Sequence, residues 1–307
     1  MMKQKQIPNK LVHSFACQQG ALRTVRFNSN GSYCLTGGVD KTVGLWNPYT
    51  ATLLHSFSGC GGEVRAVAGS NDNSMIAAGG TDKIVTIFNV ETGKSLKRYR
   101  GHTAWINSLF FNEESSLVFS AGQEGTVYIW DLRDRNEIVQ IMEEANDAVL
   151  SLDIKGSEVL TGSADHKMRH YDIRNGWLSI TDAGESVTDV HISEDKQSLL
   201  MASMKSPIKV IDKNNGKILA EYSGHKNDEF KVECGILYSN EEIVTGSEDG
   251  YVYIFDYISK KIIGKLDHLP AKYVHSLTIH PKKNVLISIS RDRLFLWINQ
   301  DDQGLFG

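Results

Sequence analysis

The chain has 307 residues, of which 41% are hydrophobic and 23% charged, a composition typical of a folded globular protein. Its 33 basic and 37 acidic side chains give a formal net charge of −4, which excludes a global attraction to nucleic acid or to a membrane surface. The four cysteines lie far apart and form no C-x-x-C pair, a pattern unlike that of a disulfide framework or a zinc site. Residues 1–8 contain no apolar stretch of signal-peptide length, so we expect a location in the cytoplasm, the nucleus or both.

One pattern recurs at seven positions along the chain, which we call marks. Each mark is an aromatic or apolar residue, and all but the last are followed by Asp or Asn. These marks are Trp46, Phe88, Trp130, Tyr171, Ile211, Phe255 and Trp297. Successive marks are separated by 40 to 44 residues, which is the period of a WD repeat whose four strands make one propeller blade. The sequence therefore predicts an all-β, seven-bladed WD40 β-propeller that forms a single domain over residues 1–307.

The strands within each period follow from alternating and β-branched residues. The first, innermost strand is predicted at 21–27, 63–67 and 105–110 in successive repeats, and the second at 34–38 and 76–80. The second strand ends in small residues such as Gly37 and Gly79, which suit a position where a neighbouring chain comes close. The third strand leads to the mark, and a more polar fourth strand, as at 52–57, lies outermost.

The last repeat lacks a fourth strand of its own. After Trp297, residues 299–304 are too polar and glycine-rich to form one. Residues 11–15 (L-V-H-S-F), however, nearly repeat residues 53–57 (L-L-H-S-F) of a predicted outer strand. We therefore predict that the N-terminal strand completes blade seven and closes the ring, which also protects two sheet edges.

Hydroxyl, imidazole and carboxylate side chains recur at fixed offsets from the marks. In a WD blade these residue types form a buried network with the indole N–H. The candidates are His102, Ser120, Glu124 and Trp130 in blade three, and His225, Thr245 and Asp249 in blade six. The same groups make up a hydrolase triad, but their repetition around the ring favours a structural device over an active site. Because no blade carries the standard four residues, we expect apolar packing and the N-terminal strand to hold most of the ring.

No nucleotide loop, metalloprotease motif or clustered His/Cys ligand set is present in the sequence. We therefore expect no enzymatic activity, no catalytic residue, no cofactor and no metal.

The turns that enter the innermost strands, and those beside the acidic position, build one face of a propeller. Candidate partner-binding residues on this face are Arg23, Lys41, Arg65, Lys83, Trp105, Asn107, Lys231, Tyr273, His275, Arg291 and Arg293. Several are basic and fall in blades seven, one and two. Arginine binds carboxylates and phosphates through two hydrogen bonds, so we predict that this sector binds an acidic or phosphorylated protein segment. The alternatives are that the lysines merely suit exposed turns and that Trp105 is partly buried packing.

A second surface is suggested by W-D-L-R at 130–133 and Y-D-I-R at 171–174, which place Arg133 and Arg174 in consecutive blades. This arrangement resembles the W-D-x-R pattern of cullin-ligase substrate receptors. The alternative is a solvated pair of arginines.

Three segments extend beyond the generic repeat: residues 25–48, which begin V-R-F-N, residues 100–114, which begin R-G-H, and residues 221–250, which contain S-G-H-K-N. Together they resemble the mitogen-activated protein kinase organizers, a family of WD-repeat scaffolds. The resemblance implies a non-catalytic scaffold of the extracellular-signal-regulated kinase cascade, or a component of splicing complexes, in the cytoplasm and nucleus. We expect a monomer with protein partners and without membrane insertion. Direct RNA binding is disfavoured because the basic sector lacks interleaved aromatic residues.

Overall fold

The computed structural model describes residues 7–133, 138–270 and 273–300, and these contain twenty-eight β-strands. The first six residues and the polar end from residue 301 onward, on which part of the sequence analysis rests, lie outside the described residues. That residues 1–307 form one domain therefore stays a prediction. None of the described segments forms a helix with the length and apolarity that crossing a membrane requires.

The strands group into seven four-stranded antiparallel sheets, one for each blade. Blade one consists of β2 (Leu22–Phe27), β3 (Cys34–Gly38), β4 (Val43–Asn47) and β5 (Thr52–Phe57). Blade two consists of β6 (Val64–Gly69), β7 (Met75–Gly80), β8 (Ile84–Asn89) and β9 (Ser95–Arg100). Blade three consists of β10 (Ile106–Phe111), β11 (Leu117–Gly122), β12 (Val127–Asp131) and β13 (Ile138–Met142). Blade four consists of β14 (Val149–Lys155), β15 (Glu158–Ser163), β16 (Lys167–Asp172) and β17 (Trp177–Asp182).

Blade five consists of β18 (Val187–Ile192), β19 (Ser198–Ser203), β20 (Ile208–Asp212) and β21 (Ile218–Tyr222). Blade six consists of β22 (Cys234–Ile236), β23 (Glu242–Thr245), β24 (Tyr251–Asp256) and β25 (Ile262–Asp267). Blade seven consists of β26 (Ser276–Ile279), β27 (Leu286–Ser290), β28 (Arg293–Ile298) and, from the other end of the chain, β1 (Lys10–Ala16). Every sequence mark lies in the third strand of its blade, and the predicted seven-bladed all-β propeller is confirmed.

The N-terminal strand closes the ring as the sequence predicts. Strand β1 pairs antiparallel with β28, from Lys10 opposite Ile298 to Ala16 opposite Arg293. Its Phe15 ring lies 5.3 Å from the Trp46 ring of blade one, and His13 Nε2 lies 2.7 Å from the carbonyl oxygen of Tyr49. The strand therefore both completes blade seven and contacts blade one.

The apolar core lies between the blades. The described residues form seven buried clusters, and each joins two neighbouring blades. The predicted close approach at the ends of the second strands is confirmed. A Cβ atom on Gly37 would lie 2.6 Å from Val64 of blade two, and one on Gly79 would lie 2.9 Å from Ile106 of blade three. Glycine at these positions lets adjacent sheets pack in contact.

Candidate protein-interaction surface

The hydroxyl of Ser120 is the centre of a buried network in blade three. Trp130 donates its indole N–H to the Ser120 oxygen over 2.8 Å, and Nε2 of His102 lies 2.6 Å from the same oxygen. The other ring nitrogen of His102 contacts Glu124. Burial opposes ionisation of Glu124, but the hydrogen bond and charge of His102 together with backbone hydrogen bonds lower the pKa of the carboxyl. Because Ser120 is fully buried, a substrate cannot reach its hydroxyl.

The three candidates in blade six do not form such a network. The hydroxyl of Thr245 donates to the carbonyl oxygens of Glu233 (3.4 Å) and Gly246 (3.0 Å). Asp249 accepts a hydrogen bond from the Tyr253 hydroxyl at 2.6 Å. Nδ1 of His225 is buried without a hydrogen-bond partner among the described residues, and burial lowers the pKa of this imidazole. The arrangement that a catalytic triad requires is therefore not present at these residues.

Two further networks lie in blades seven and one, and their partners Gln19, His268 and Ser288 were not predicted from the sequence. In blade seven, His268 Nε2 lies 2.6 Å from the Ser288 hydroxyl, which accepts the Trp297 indole N–H at 3.0 Å. In blade one, Thr36 contacts Gln19 and accepts the Trp46 indole N–H at 2.8 Å. None of these blades carries the standard His, hydroxyl, Asp and Trp together, but a buried hydroxyl accepts the Trp indole N–H in blades one, three and seven. In blades one and three the hydroxyl residue stands ten residues before the tryptophan, which would predict Ile287 in blade seven, but the Ser288 hydroxyl stands nine residues before Trp297.

All seven inner strands run in the same direction, so their first residues surround one mouth of the central channel. We call the residues that precede or open these strands the rim. The rim includes Arg23, Glu63, Arg65, Trp105, Asn107, Phe230, Lys231, Tyr273 and His275.

Arg23, Glu63, Arg65 and Trp105 lie together on the rim. Arg23 pairs with the Glu63 carboxylate at 3.2 Å. The guanidinium of Arg65 lies 5.1 Å from the centre of the Trp105 ring, a cation–π geometry. Burial and the neighbouring Arg23 lower the pKa of Arg65. Trp105 remains 46% exposed, so Arg65 supports it from one side while its remaining surface faces solvent. Glu63 neutralises part of the predicted basic sector.

A second aromatic pair stands on the rim at blades six and seven. The rings of Phe230 and Tyr273 stack with centroids 5.3 Å apart, and Phe230 is 47% exposed. Glu248 fixes the loop that carries Phe230 by accepting the backbone N–H groups of residues 228, 229 and 230 at 2.9, 2.6 and 2.8 Å. Tyr273 was predicted from the sequence, whereas Phe230 was not, although it is a lone aromatic residue in a polar loop.

Three other predicted binding residues are occupied by bonds between blades. Asn107 is buried and donates to Gln123 and to the carbonyl oxygen of Val149, both at 3.1 Å. Lys231 donates to the carbonyl oxygen of Leu150 at 2.6 Å. His275 Nε2 lies 3.1 Å from the carbonyl oxygen of Leu22, and burial lowers the pKa of this imidazole to about 4. These side chains hold the ring together.

Three of the four remaining predicted cations stand in turns. Lys41, Lys83 and Arg291 are exposed, with φ angles of 69°, 63° and 54° that turn the chain back between two strands. Arg293 instead opens β28 and donates to the carbonyl and hydroxyl oxygens of Ser14 at 2.9 and 3.2 Å. It therefore supports the N-terminal strand at the outer side of blade seven.

The two arginines of the W-D-x-R pattern differ in their contacts. Arg133 folds back on Asp131, with N–O distances of 3.0 and 2.6 Å, and these hydrogen bonds lower the pKa of Asp131 to about 2. Arg174 is exposed, and its backbone N–H donates to Asp172 at 3.0 Å.

Below the rim, a cavity of about 440 Å³ is lined by apolar and charged residues of the inner strands and of the turns that follow them. Arg26 makes two hydrogen bonds to the Glu233 carboxylate, at 2.9 and 2.7 Å. Asp153, Asp189 and His191 line the same cavity from blades four and five.

Comparison with known proteins identifies a family. The model of the Nucleolar protein 10-like N-terminal domain matches residues 39–234, and the WD domain G-beta repeat matches residues 9–47 and 216–256. WD repeat domain-containing protein 83 of Rattus norvegicus is 44% identical over 95% of this chain and 93% of its own length. The Homo sapiens protein of that name is 43% identical over the same shares, and the Dictyostelium discoideum homolog is 28% identical over 89% of this chain and 93% of its own length.

These matches correct the family resemblance drawn from the sequence. The relatives carry the name WD repeat domain-containing protein 83, and the family model is that of a Nucleolar protein 10-like propeller. The assignment to the mitogen-activated protein kinase organizers is therefore replaced. The segments at 25–48, 100–114 and 221–250 that suggested it cover strands and connecting turns of blades one, three and six, together with the ends of the outer strands β9 and β21.

Proposed function

Since this chain belongs to the family of WD repeat domain-containing protein 83, we propose that it is a non-catalytic scaffold that binds partner proteins through its rim. A protein-interaction role accompanies this family and the WD-repeat propeller fold. In this proposal Trp105 and Phe230 are the anchors, and the exposed turn residues Lys41, Lys83 and Arg291 supply positive charge on the same face.

One observation carries this proposal: two large aromatic side chains are held in place at the rim yet remain half exposed. Trp105 rests on Arg65, and Phe230 rests on Tyr273 in a loop fixed by Glu248. Interface energy concentrates in such aromatic and arginine residues, because a side chain already ordered loses little entropy on binding. The nearby cations favour an acidic or phosphorylated partner segment.

Affinity purification from native extract with Trp105→Ala and Phe230→Ala tests the rim. We expect each variant to recover about tenfold less partner protein than the wild-type chain, because truncating an anchor removes much of the binding energy. Trp177→Ala is the matched control, since Trp177 is 48% exposed but lies on the outer strand of blade four. Unchanged recovery by both rim variants would contradict the proposal.

The identity of the recovered proteins shows which assembly the chain joins. Kinases of the extracellular-signal-regulated cascade, splicing factors and a cullin-ligase adaptor are distinguishable by mass spectrometry. Nuclease treatment reveals partners bridged by RNA, and phosphatase treatment separates phosphorylated from acidic segments. We propose a location in both cytoplasm and nucleus; the nucleolar name of the matching family model supports the nuclear part. Imaging of the tagged chain tests this location.

A further inference from the structure

Three side chains that commonly bind metal ions meet in the wall of the channel. Asp189 and His191 stand two residues apart on β18, so both face the channel, and Cys234 opens the neighbouring inner strand β22. His191 Nε2 lies 3.1 Å from Asp189 Oδ2, and the Cys234 backbone N–H donates to that oxygen at 2.8 Å. The carboxylate oxygen, imidazole nitrogen and thiol sulfur all lie within 4.8 Å of one another.

These separations suit a small tetrahedral ion. Nitrogen and oxygen ligands at about 2.0 Å from Zn²⁺ lie about 3.3 Å apart in a tetrahedron, close to the 3.1 Å between His191 and Asp189. A sulfur ligand at about 2.3 Å lies roughly 3.6 Å from either of them, so the Cys234 sulfur needs a shift of about 1 Å or less. A small rotation of the cysteine side chain supplies such a shift.

A fourth residue, Asp153, stands close to the imidazole. Oδ2 of Asp153, on β14, lies 4.0 Å from Nδ1 of His191 and accepts the backbone N–H of Ile192 at 2.7 Å. A carboxylate behind a histidine, on the side away from the metal, is the usual second-shell partner of a metal-binding imidazole because it fixes the ring and strengthens its lone pair.

Charge and space at the cluster also fit a cation. Glu233 already engages Arg26 in two hydrogen bonds, and Lys231 donates to a backbone carbonyl. Asp153 and Asp189 therefore have His191 as their ion-pair partner among the described residues. The cluster lines the cavity of about 440 Å³, which leaves room for a water molecule, and the His191 side chain is 31% exposed.

We propose that Asp189, His191 and Cys234 bind a Zn²⁺ ion, with a water molecule as the fourth ligand and Asp153 as the residue that orients His191. Oxygen, nitrogen and sulfur ligands in a tetrahedron select zinc over magnesium or calcium, which prefer six or more oxygen ligands. The sequence gives no hint of this site, since the ligands follow no spaced motif and Cys234 has no second cysteine near it. The site lies inside the channel, so it does not depend on the rim proposal.

The test uses the full chain, stripped of metal by a chelator and titrated with Co²⁺. Tetrahedral Co²⁺ bound by a thiolate absorbs through charge transfer from sulfur, so we expect this band to appear with one Co²⁺ per chain and to vanish on addition of Zn²⁺. Cys234→Ser should abolish the band and weaken Zn²⁺ binding at least tenfold. Asp153→Asn should keep the band but weaken binding about 10- to 100-fold. Cys60→Ser, at a half-buried thiol outside the cluster, should behave as wild type.

Two outcomes would overturn the proposal: absence of the charge-transfer band in the wild-type chain, or a band that survives in Cys234→Ser and disappears in Cys60→Ser. If Cys234→Ser does not fold, His191→Gln takes its place, because this partly exposed side chain packs less tightly. Loss of zinc binding in His191→Gln supports the site, and unchanged binding contradicts it.

Discussion

The Ser120 hydroxyl shows how one small side chain joins two strands and a loop of one blade. It meets the Trp130 indole from β12 and the His102 ring from the loop before β10, and all three are buried. A buried N–H that loses its acceptor keeps the full cost of its lost hydration. Loss of the hydroxyl should therefore reduce stability mainly because two buried ring nitrogens would be left without a hydrogen-bond partner.

Ser120→Ala should therefore lower the free energy of unfolding by about 1–3 kcal/mol, because it leaves both ring nitrogens without a partner. Chemical denaturation followed by tryptophan fluorescence measures the change. Ser32→Ala, at an exposed hydroxyl in the β2–β3 turn, is the control and should stay within about 0.5 kcal/mol of wild type. Equal effects at the two serines would show that the network does not stabilise the blade.

His268, in the network of blade seven, should make the stability of the fold depend on pH. Burial lowers the pKa of its imidazole from 6.5 to about 4, so the folded chain keeps this ring neutral where the unfolded chain protonates it. Stability from His268 is thus complete above pH 6.5 and is lost as pH falls towards 4, with a total on the order of 3 kcal/mol. His268→Gln should flatten the stability profile between these pH values. A variant as acid-sensitive as wild type would contradict this assignment.

At the scale of the strand, the glycines that end the second strands set how closely blades approach. A Cβ on Gly37 would lie 2.6 Å from Val64 and 3.0 Å from its carbonyl oxygen, whereas one on Gly69 would meet Leu35 at an ordinary 3.6 Å. Gly37→Ala should therefore destabilise the chain by about 1–3 kcal/mol through overpacking. Gly69→Ala, the matched control in β6, should cost less, and thermal unfolding of the two variants compares them. The reverse order would contradict the packing argument.

Strand β1 is the one fourth strand that comes from the opposite end of the chain. A chain that begins at Cys17 leaves the edge of β28 unpaired and uncovers Trp46, so it should melt at lower temperature and self-associate. A synthetic peptide of residues 7–17 should restore the melting temperature, and a scrambled peptide should not. Size-exclusion chromatography and thermal unfolding measure both effects. An unaltered melting temperature after truncation would show that ring closure does not depend on β1.

The strands of the blades could be predicted from the sequence because each repeat has the same alternation of residues and the same mark. Strand β1 was predictable for the same reason, since residues 11–15 copy an outer strand. The network of blade seven could not be predicted in this way. The turn between β27 and β28, across which Ser290 pairs with Arg293, is shorter than the corresponding turns of the other blades. This shortening moves the hydroxyl from position 287 to 288, and Asp267 replaces the glycine that precedes His102 and His225.

At the scale of the whole molecule, two side chains cross the channel and join blades that are not neighbours. Arg26 of blade one bonds Glu233, which precedes blade six, and Lys231 bonds the Leu150 carbonyl of blade four. The repeat places both residues near inner strands, but it does not tell which side chains meet across the channel. The period therefore predicted the number of blades, but the channel contacts and the metal-binding geometry depend on the diameter of the closed ring.

The Arg26–Glu233 contact gives the most direct test of the closed ring. Glu233 is buried and also accepts hydrogen bonds from Ser276 (2.7 Å) and from the Leu277 backbone N–H (3.1 Å). Arg26→Met leaves this carboxylate without its cation and should destabilise the chain by about 3–5 kcal/mol. In Arg26→Met combined with Glu233→Gln, no charge stays unpaired, so the double variant should be more stable than Arg26→Met alone. Denaturation of all four chains in a double-mutant cycle measures the coupling, and strictly additive effects would show that the contact does not hold blades one and six together.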